Sequence, residues 1–239
     1  MTKPLYPTDS YLQEFSAQVV AVDPEQHAVA LDCTAFYPGG GGQPHDTGVL
    51  LADGAALTVV KVKREGEHIW HWLATEAALP AVGTQVVGRL DWERRYALMR
   101  THTAMHILCG VVWRDYGAQV TGGAMEPLEG RMDFEFATLR AELVGEIEAK
   151  CTAEIAAARD VRVQILPREQ AFQIPDLIRT KINLLPEGIT EVRTVEIIGL
   201  DLQADGGTHV ANTREVGAMR VTDYKSKGAI NKRIYISVG

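Results

Sequence analysis

The spacing of hydrophobic residues changes once along the chain, near residue 90, and this change constrains the fold more than any other feature. Before it, six short segments are β-branched or alternate in polarity, and turn-forming residues separate them. After it, residues 92–115 have helical spacing, with no proline and no glycine before Gly110. The pattern predicts a small β-barrel or sandwich over residues 1–90 and a second domain over residues 91–239.

The second domain is predicted to mix helices and strands. Residues 139–158 form an amphipathic pattern in which apolar side chains recur every four residues. Further segments have the short β-branched pattern of strands. We therefore expect an α+β domain with helices packed on a largely antiparallel sheet. The four apolar positions are Leu139, Leu143, Ile147 and Cys151, and the strand segments are residues 131–136, 161–166, 191–198, 217–221 and 233–238.

The composition is that of a globular protein. Of the 239 residues, 46% are hydrophobic and 23% are charged, which excludes disordered, collagen-like and coiled-coil chains. No apolar run approaches the roughly 18 residues of a spanning helix, and the first residues do not resemble a signal peptide. The three cysteines are few and widely spaced, so a disulfide framework is not expected. We expect a cytoplasmic protein without a membrane partner.

Charge is unevenly distributed along the chain. The formal net charge of −7 argues against a general nucleic-acid coat protein. Residues 1–90 have a net charge of −5, whereas residues 220–233 contain five basic residues and one acidic residue. This basic stretch could bind an anionic partner, and Arg94, Arg95 and Arg100 on the predicted helix could extend it. Ordinary solvated loop charge explains the stretch equally well.

Two histidines on the predicted helix could bind a metal ion. His102 and His106 are four residues apart, which places both imidazoles on one helix face. Two histidines on a half-buried helix face are an alternative, because this spacing often occurs by chance. Cys109 lies one turn further on and is expected to be a packed apolar residue.

A second cluster follows a glycine-containing turn. The two glycines after Asp205 allow the chain to fold tightly, so Asp205 and His209 could converge on one point. Alone, this segment could be a surface turn. Together with His102 and His106, it supplies enough nitrogen and oxygen donors for a zinc site.

Four successive glycines, Gly39 to Gly42, interrupt the first domain. Each costs roughly 0.5–1 kcal/mol of chain entropy relative to alanine, so we expect a position where the backbone approaches another group closely. A flexible hairpin loop is the alternative. No lysine and hydroxyl residue follow in the order of a phosphate-binding loop.

Taken in order, these motifs resemble the free-standing alanyl-tRNA editing proteins of the AlaX family, which are related to the editing domain of alanyl-tRNA synthetase. The resemblance lies in Thr34 with the glycine-rich segment up to Gly48, and in residues 101–106, 205–209 and 227–236. It covers nearly the whole chain and indicates the longer form of the family. It implies an N-terminal barrel similar to those of translation factors, followed by an α/β zinc-binding editing domain of the threonyl- and alanyl-tRNA synthetase type.

The resemblance also implies an activity and a site. The activity is hydrolysis of the ester in mischarged seryl-tRNA(Ala), with glycyl-tRNA(Ala) as a second candidate substrate. The acceptor end of the tRNA would be the partner. One Zn²⁺ per chain would be held by His102, His106, Asp205 and His209, with Asp205 at a position that is cysteine in many relatives. Thr34 and Gln43 would act on the substrate, and Thr34 would recognise the seryl hydroxyl. The remaining implied contacts are Gly40, Gly41, Gly42 and Thr208 to the substrate, and Arg100, Lys225, Lys227, Lys232 and Arg233 to tRNA.

Two other functions remain open at this point. A catalytically silent tRNA-binding module would keep the metal only for its structure. A metallohydrolase acting on small esters would be indifferent to tRNA. Whether the protein is a monomer or a homodimer is also open.

Overall fold

The computed structural model describes residues 1–74, 78–179 and 188–239. The chain forms two compact units, Met1–Tyr96 and Ala97–Gly239. The division falls inside the first long helix, whereas the hydrophobic pattern predicts a boundary just before that helix. In the described residues, no helix has the length and hydropathy needed to span a membrane.

A closed six-stranded barrel dominates the first unit. The barrel order is β2, β3, β7, β6, β5 and β8, and β8 pairs with β2 to close the ring. These six strands are the six predicted from the sequence. The two remaining strands, β1 and β4, form a short parallel pair. The strands are β1 (Lys3–Pro4), β2 (Glu14–Asp23), β3 (Ala28–Leu31), β4 (Cys33–Thr34), β5 (Gly48–Ala52), β6 (Ala55–Glu65), β7 (His68–Leu73) and β8 (Gln85–Leu90).

The barrel core follows from the alternation of side chains along its strands. On β7, Ile69, His71 and Leu73 are buried, and the residues between them are partly exposed. The inward positions of the other strands are mostly valine, leucine and phenylalanine. His71 is therefore a polar side chain within an otherwise apolar row.

The four glycines form a tight turn. All four have positive φ, with values of 81°, 137°, 58° and 89°. The backbones of Gly40 and Gln43 exchange two hydrogen bonds of 3.0 and 2.9 Å. This places Gly41 and Gly42 at the centre of a type I′ turn, which requires positive φ at both positions. A Cβ on Gly41 would meet nothing within 4 Å, so no other group approaches this position closely. The positive φ of the turn therefore explains the glycine there.

A buried ion pair fixes the ends of the glycine-rich segment. Arg95 and Asp46 are bonded to each other, and their side chains are 0% and 1% exposed. Asp46 also accepts a hydrogen bond of 2.6 Å from the backbone N–H of Tyr37. Arg95 donates to the carbonyl oxygens of Ala35 and Ser10 at 2.6 and 2.9 Å. Because Arg95 bonds both the Ala35 carbonyl and the Asp46 carboxylate, it holds the segment between these two residues at both ends.

The second unit is α+β, as predicted. A four-stranded sheet has the order β14, β15, β10, β9, and a three-stranded sheet has the order β11, β12, β13. Both sheets are antiparallel. The elements are α1 (Trp92–Tyr116, whose first residues belong to the first unit), β9 (Val120–Glu126), β10 (Glu129–Glu135), α2 (Ala141–Ala156), β11 (Val161–Pro167), α3 (Arg168–Ala171), β12 (Glu191–Ile197), β13 (Asp201–Ala204), a 3₁₀ helix (Thr213–Val216), β14 (Met219–Ser226) and β15 (Asn231–Val238).

Helix α1 is buried on every side over residues 101–112. Glycines of the sheet allow it to lie close, since a Cβ on Gly130 would lie 3.1 Å from the Met105 Sδ and a Cβ on Gly123 would lie 3.2 Å from the Met105 Cε. Near the C-terminal end of the helix, a Cβ on Gly110 would meet the Cβ of Asp201 at 2.9 Å. Gly110 therefore allows the start of β13 to approach α1.

Helix α2 differs in detail from the prediction. It begins at Ala141, so Leu139 precedes it, and Leu143 is only partly buried. Its buried side includes Val144 and Ile155 together with the predicted Ile147 and Cys151. The reason is that a helix turns once every 3.6 residues, so a row of residues exactly four apart drifts away from the core.

Candidate metal centre and substrate-binding residues

Helix α1 supplies two imidazoles to one point. His102 and His106 are one turn apart, and their ring centroids are 5.1 Å apart. Their residue exposures are only 4% and 7%. The helical spacing predicted from the sequence is therefore present, and the histidines belong to a buried helix rather than to a half-exposed face.

The loop after β13 supplies the other two donors. The Asp205 carboxylate accepts a hydrogen bond of 2.7 Å from the Gly207 N–H, which closes a tight turn. His209 follows, and its Nε2 lies 3.1 Å from the Asp205 Oδ2. The His209 ring stacks on the His102 ring at a centroid distance of 4.2 Å. The predicted convergence of Asp205 and His209 is therefore present.

A capped 3₁₀ helix holds the end of this loop. The Asn212 side chain accepts a hydrogen bond of 3.1 Å from the Arg214 N–H. The Glu215 carboxylate accepts one of 3.0 Å from the Asn212 N–H. These reciprocal bonds form a capping box that begins at Asn212, shortly after His209, and they fix the backbone conformation at the end of the loop.

The four residues form a donor set that suits zinc. One possible ligand atom from each of His102, His106, Asp205 and His209 lies within 4.8 Å of the others. Three imidazole nitrogens and one carboxylate oxygen match the ligands of tetrahedral zinc sites. The geometry therefore permits one divalent cation to be held by α1 and the loop after β13.

Side chains outside the cluster orient two of the histidines. The Nδ1 of His106 lies 3.3 Å from the Asp201 Oδ2. The Nδ1 of His209 lies 3.2 Å from the Thr103 Oγ1. In each ring the Nε2 is then left for a metal ion, an arrangement common among metal-binding histidines.

Burial and neighbouring charges set the protonation of the cluster. Burial lowers the pKa of His102 to about 4, and burial together with His102 places the pKa of His209 well below its usual value. Burial would raise the pKa of Asp205, but the adjacent histidines hold it well below its ordinary range. At neutral pH, Asp205 is therefore anionic, and His102 and His209 keep lone pairs that can bind a metal.

His106 differs from the other two histidines. Burial opposes its protonation, yet the neighbouring Asp201 carboxylate leaves the pKa of His106 raised. The Gln203 amide donates to the Asp201 Oδ2 at 2.6 Å. Asp201 is thus positioned by its own strand and is the main charged neighbour of His106. No sequence pattern indicates this role, because an aspartate at the start of a short strand has no distinguishing pattern.

Thr34 and Gln43 belong to the first unit. Thr34 is fully buried, and Gln43 is 2% exposed. The Thr34 hydroxyl lies 2.9 Å from the His71 Nε2 and accepts a hydrogen bond of 3.2 Å from the Phe36 N–H. Sequence reasoning missed His71, since one histidine in an alternating strand gives no functional signal. The three predicted glycines, Gly40, Gly41 and Gly42, are all exposed.

The predicted tRNA-binding residues differ in what they already contact. Lys225 and Lys227, on the hairpin of β14 and β15, are exposed. Lys232 is 7% exposed, and its ammonium donates to the carbonyl oxygens of Gly228 and Ala229. Two arginines also have partners within the second unit: Arg233 binds both oxygens of Asp133, and Arg100 donates to the carbonyl oxygens of Val216 and Gly239. Lys225 and Lys227 are thus the most accessible cations of this set.

Comparisons with known proteins match both units. Residues 10–94 match the family described as tRNA synthetases class II (A). Residues 192–235 match the threonyl and alanyl tRNA synthetase second additional domain. Together with the barrel and the histidine–aspartate cluster, these matches define a protein of the alanyl-tRNA editing class.

Full-length relatives define the family more closely. The chain is 40% identical over 242 residues to the alanyl-tRNA editing protein AlaX-M of Saccharolobus solfataricus, covering 100% of this chain and 99% of the relative. It is 38% identical to the AlaX-M protein of Methanosarcina mazei, covering 100% and 97%. It is also 38% identical to the alanine–tRNA ligase of Ignicoccus hospitalis, covering 92% of this chain and 24% of the ligase. The chain belongs to the AlaX-M family of alanyl-tRNA editing proteins.

Proposed function

We propose that this protein hydrolyses the ester bond of mischarged seryl-tRNA(Ala) in trans, with glycyl-tRNA(Ala) as a further candidate substrate. The observation that carries the proposal is the buried cluster of three histidines and Asp205, in a chain related over its full length to alanyl-tRNA editing proteins. A metal ion bound in this cluster would promote ester hydrolysis through a coordination position open to water or to the substrate.

His102, His106, Asp205 and His209 would hold one Zn²⁺, whose bound form polarises carbonyl oxygens and acidifies water. Within the chain, Asp201 and Thr103 orient two of the rings, and burial keeps bulk water from the donors. Low exposure also strengthens each charge interaction inside the site.

The proposed substrate contacts are those that the family resemblance implies. Thr34 would bond the seryl hydroxyl, Gln43 would contact the aminoacyl group, and Thr208 would contact the substrate beside the metal ligands. The turn of Gly40, Gly41 and Gly42 would present backbone groups. A site that bonds a hydroxyl rejects the analogue lacking it far better than an apolar pocket can, so this assignment explains how correctly charged alanyl-tRNA(Ala) would be spared.

The acceptor end of tRNA(Ala) is the proposed macromolecular partner. Lys225 and Lys227 are the cations best placed for its phosphates, because both are exposed on the terminal hairpin. Arg100, Lys232 and Arg233 would act chiefly by shaping the surface, since each of them already bonds a group of the second unit.

The leading alternative is a tRNA-binding module with a structural zinc. His102→Ala separates the two functions. An editing enzyme would lose seryl-tRNA(Ala) deacylation by at least about 100-fold and retain most of its melting temperature. A structural zinc site would instead unfold the domain when a ligand is removed. Deacylation rates and thermal melting of the same preparation make the comparison, and unaltered deacylation by His102→Ala would refute the proposal.

A further inference from the structure

The interior of the barrel contains a polar pair, Thr34 and His71, and the proposed function assigns a role only to Thr34. His71 lies on the inward row of β7 and is 0% exposed. Its Nε2 lies 2.9 Å from the Thr34 Oγ1, and its Nδ1 lies 3.3 Å from the Val29 carbonyl oxygen. Each ring nitrogen therefore has one partner, and the Val29 partner can only accept a hydrogen bond.

The Val29 carbonyl determines which nitrogen holds the proton. Because a carbonyl oxygen only accepts, Nδ1 must be the protonated nitrogen. Burial lowers the pKa of His71 to about 4, so the ring is neutral near pH 7 and Nε2 keeps its lone pair. The Thr34 hydroxyl must then donate its only proton to Nε2.

The direction of this hydrogen bond limits what Thr34 can still do. Its oxygen already accepts a hydrogen bond from the Phe36 N–H at 3.2 Å. A hydroxyl oxygen has two lone pairs, so one lone pair remains and no proton remains. Thr34 can therefore receive a hydrogen bond from a further group and cannot donate one.

We propose that His71 is a positioning residue that makes the Thr34 hydroxyl a pure hydrogen-bond acceptor, so that the editing site favours seryl over alanyl groups by accepting a hydrogen bond from the β-carbon substituent. This inference rests on the proposed deacylase function and on the role of Thr34 in it. A seryl hydroxyl meets the requirement. An alanyl methyl group and a β-fluorine do not.

Stability alone does not account for the pair. Replacing both partners of a buried hydrogen bond with apolar groups of similar shape is close to neutral, whereas removing one partner leaves the other unsatisfied. The double variant Thr34→Val/His71→Phe is therefore expected to unfold near the wild-type temperature, with both single variants below it. This double variant provides a folded control that lacks only the polar pair.

The first experiment is a direct measurement of the His71 tautomer. Long-range ¹H–¹⁵N correlation spectra of the full-length wild-type protein at pH 7 distinguish protonated from unprotonated ring nitrogens. We expect the proton on Nδ1. A proton on Nε2 would overturn the inference, and this result needs no variant to fold.

The second experiment measures specificity. The ratio of kcat/KM for seryl-tRNA(Ala) to that for alanyl-tRNA(Ala) is expected to fall about tenfold in His71→Phe. His71→Gln, whose amide oxygen can accept from Thr34, should stay within about twofold of wild type. In the Thr34→Val background, His71→Phe should cause no further fall. An unchanged ratio in His71→Phe, or a full additional fall in the Thr34→Val background, would overturn the inference.

The third experiment tests the direction of the hydrogen bond with the substrate. Wild-type protein should hydrolyse 3-fluoroalanyl-tRNA(Ala) at a rate close to that for alanyl-tRNA(Ala), because fluorine cannot donate. A rate close to that for seryl-tRNA(Ala) would overturn the inference. Absence of seryl-tRNA(Ala) hydrolysis by the wild-type protein would refute the proposed function itself, and this outcome is distinct from a failure that concerns His71.

Discussion

At the scale of single residues, buried histidines have different tasks in the two units. His102 and His209 are neutral and face a cluster of donors, whereas His71 is neutral and bonds a hydroxyl and a carbonyl. Burial is the largest cause of the low pKa in all three. The same physical effect thus leaves a nitrogen lone pair available for a metal ion in one unit and for a hydrogen bond in the other.

The low pKa of His71 predicts acid sensitivity of the fold. The pKa is about 4 in the folded protein and about 6.5 in an unfolded chain, so between these values only the unfolded state binds the proton. The free energy of unfolding should therefore be unaffected by this group above pH 6.5. It should fall by about 3 kcal/mol as the pH drops from 6.5 to 4.

Denaturant unfolding of wild type and His71→Gln between pH 4 and 7.5 measures this effect. The difference in unfolding free energy between the two proteins isolates His71 from the other titrating groups. We expect that difference to shrink toward pH 4. Parallel pH profiles for the two proteins would show that His71 is not held neutral by burial.

At this scale, sequence reasoning found the residues whose spacing has a chemical meaning. His102 and His106 follow helical spacing, and Asp205 and His209 flank a glycine turn, so all four could be predicted. Asp201 and His71 could not be predicted, because their roles depend on which strands lie beside α1 or pair inside the barrel. Nothing in their immediate sequence distinguishes them from ordinary strand residues.

At the scale of elements, the histidine–aspartate cluster depends on the close approach of β13 to α1. Gly110 provides the space, and Asp201 occupies it beside the Nδ1 of His106. A carboxylate in this position orients the ring and makes its other nitrogen more basic. The strand therefore contributes to the cluster without supplying a ligand.

Asp201→Asn should lower the zinc affinity by about 10- to 100-fold, because the amide keeps the shape of the carboxylate and loses its charge. Competition with a chelator of known affinity measures the change. Asp223→Asn is the matched control, since Asp223 pairs with Lys225 on the exposed hairpin. Equal zinc affinities for the two variants would contradict the role of Asp201.

The elements themselves were predictable where the pattern was long or regular. The six barrel strands, α1 and α2 all follow hydrophobic periodicity. Strand β9 was missed because Gly122 and Gly123 have the appearance of a loop, yet Gly123 is used for packing against Met105. The reason for a glycine in a strand lies in the neighbouring helix and is absent from the strand sequence.

At the scale of the whole molecule, the charge distribution predicts a weak and salt-sensitive interaction with tRNA. The formal net charge is −7, so favourable phosphate contacts must come from local cations such as Lys225 and Lys227. An enzyme that must release its tRNA after each turnover does not need a uniformly basic surface.

The salt dependence of tRNA binding tests this expectation. Replacing both Lys225 and Lys227 with alanine should reduce the slope of log K against log salt by about 1.5, since each lost phosphate contact removes roughly 0.7–0.9. Lys63→Ala, at an exposed lysine of the barrel, should leave the slope unchanged. A binding constant independent of salt in the wild-type protein would contradict the electrostatic account.

In the proposed mechanism, a zinc ion in the histidine–aspartate cluster is required for ester hydrolysis. The most direct test of this requirement is the metal content of the purified protein, measured together with deacylation of seryl-, glycyl- and alanyl-tRNA(Ala) before and after metal removal. We expect about one zinc per chain, preferential hydrolysis of seryl-tRNA(Ala), loss of that activity with the metal and recovery when zinc is restored. Full seryl-tRNA(Ala) hydrolysis by a protein freed of metal would contradict the account.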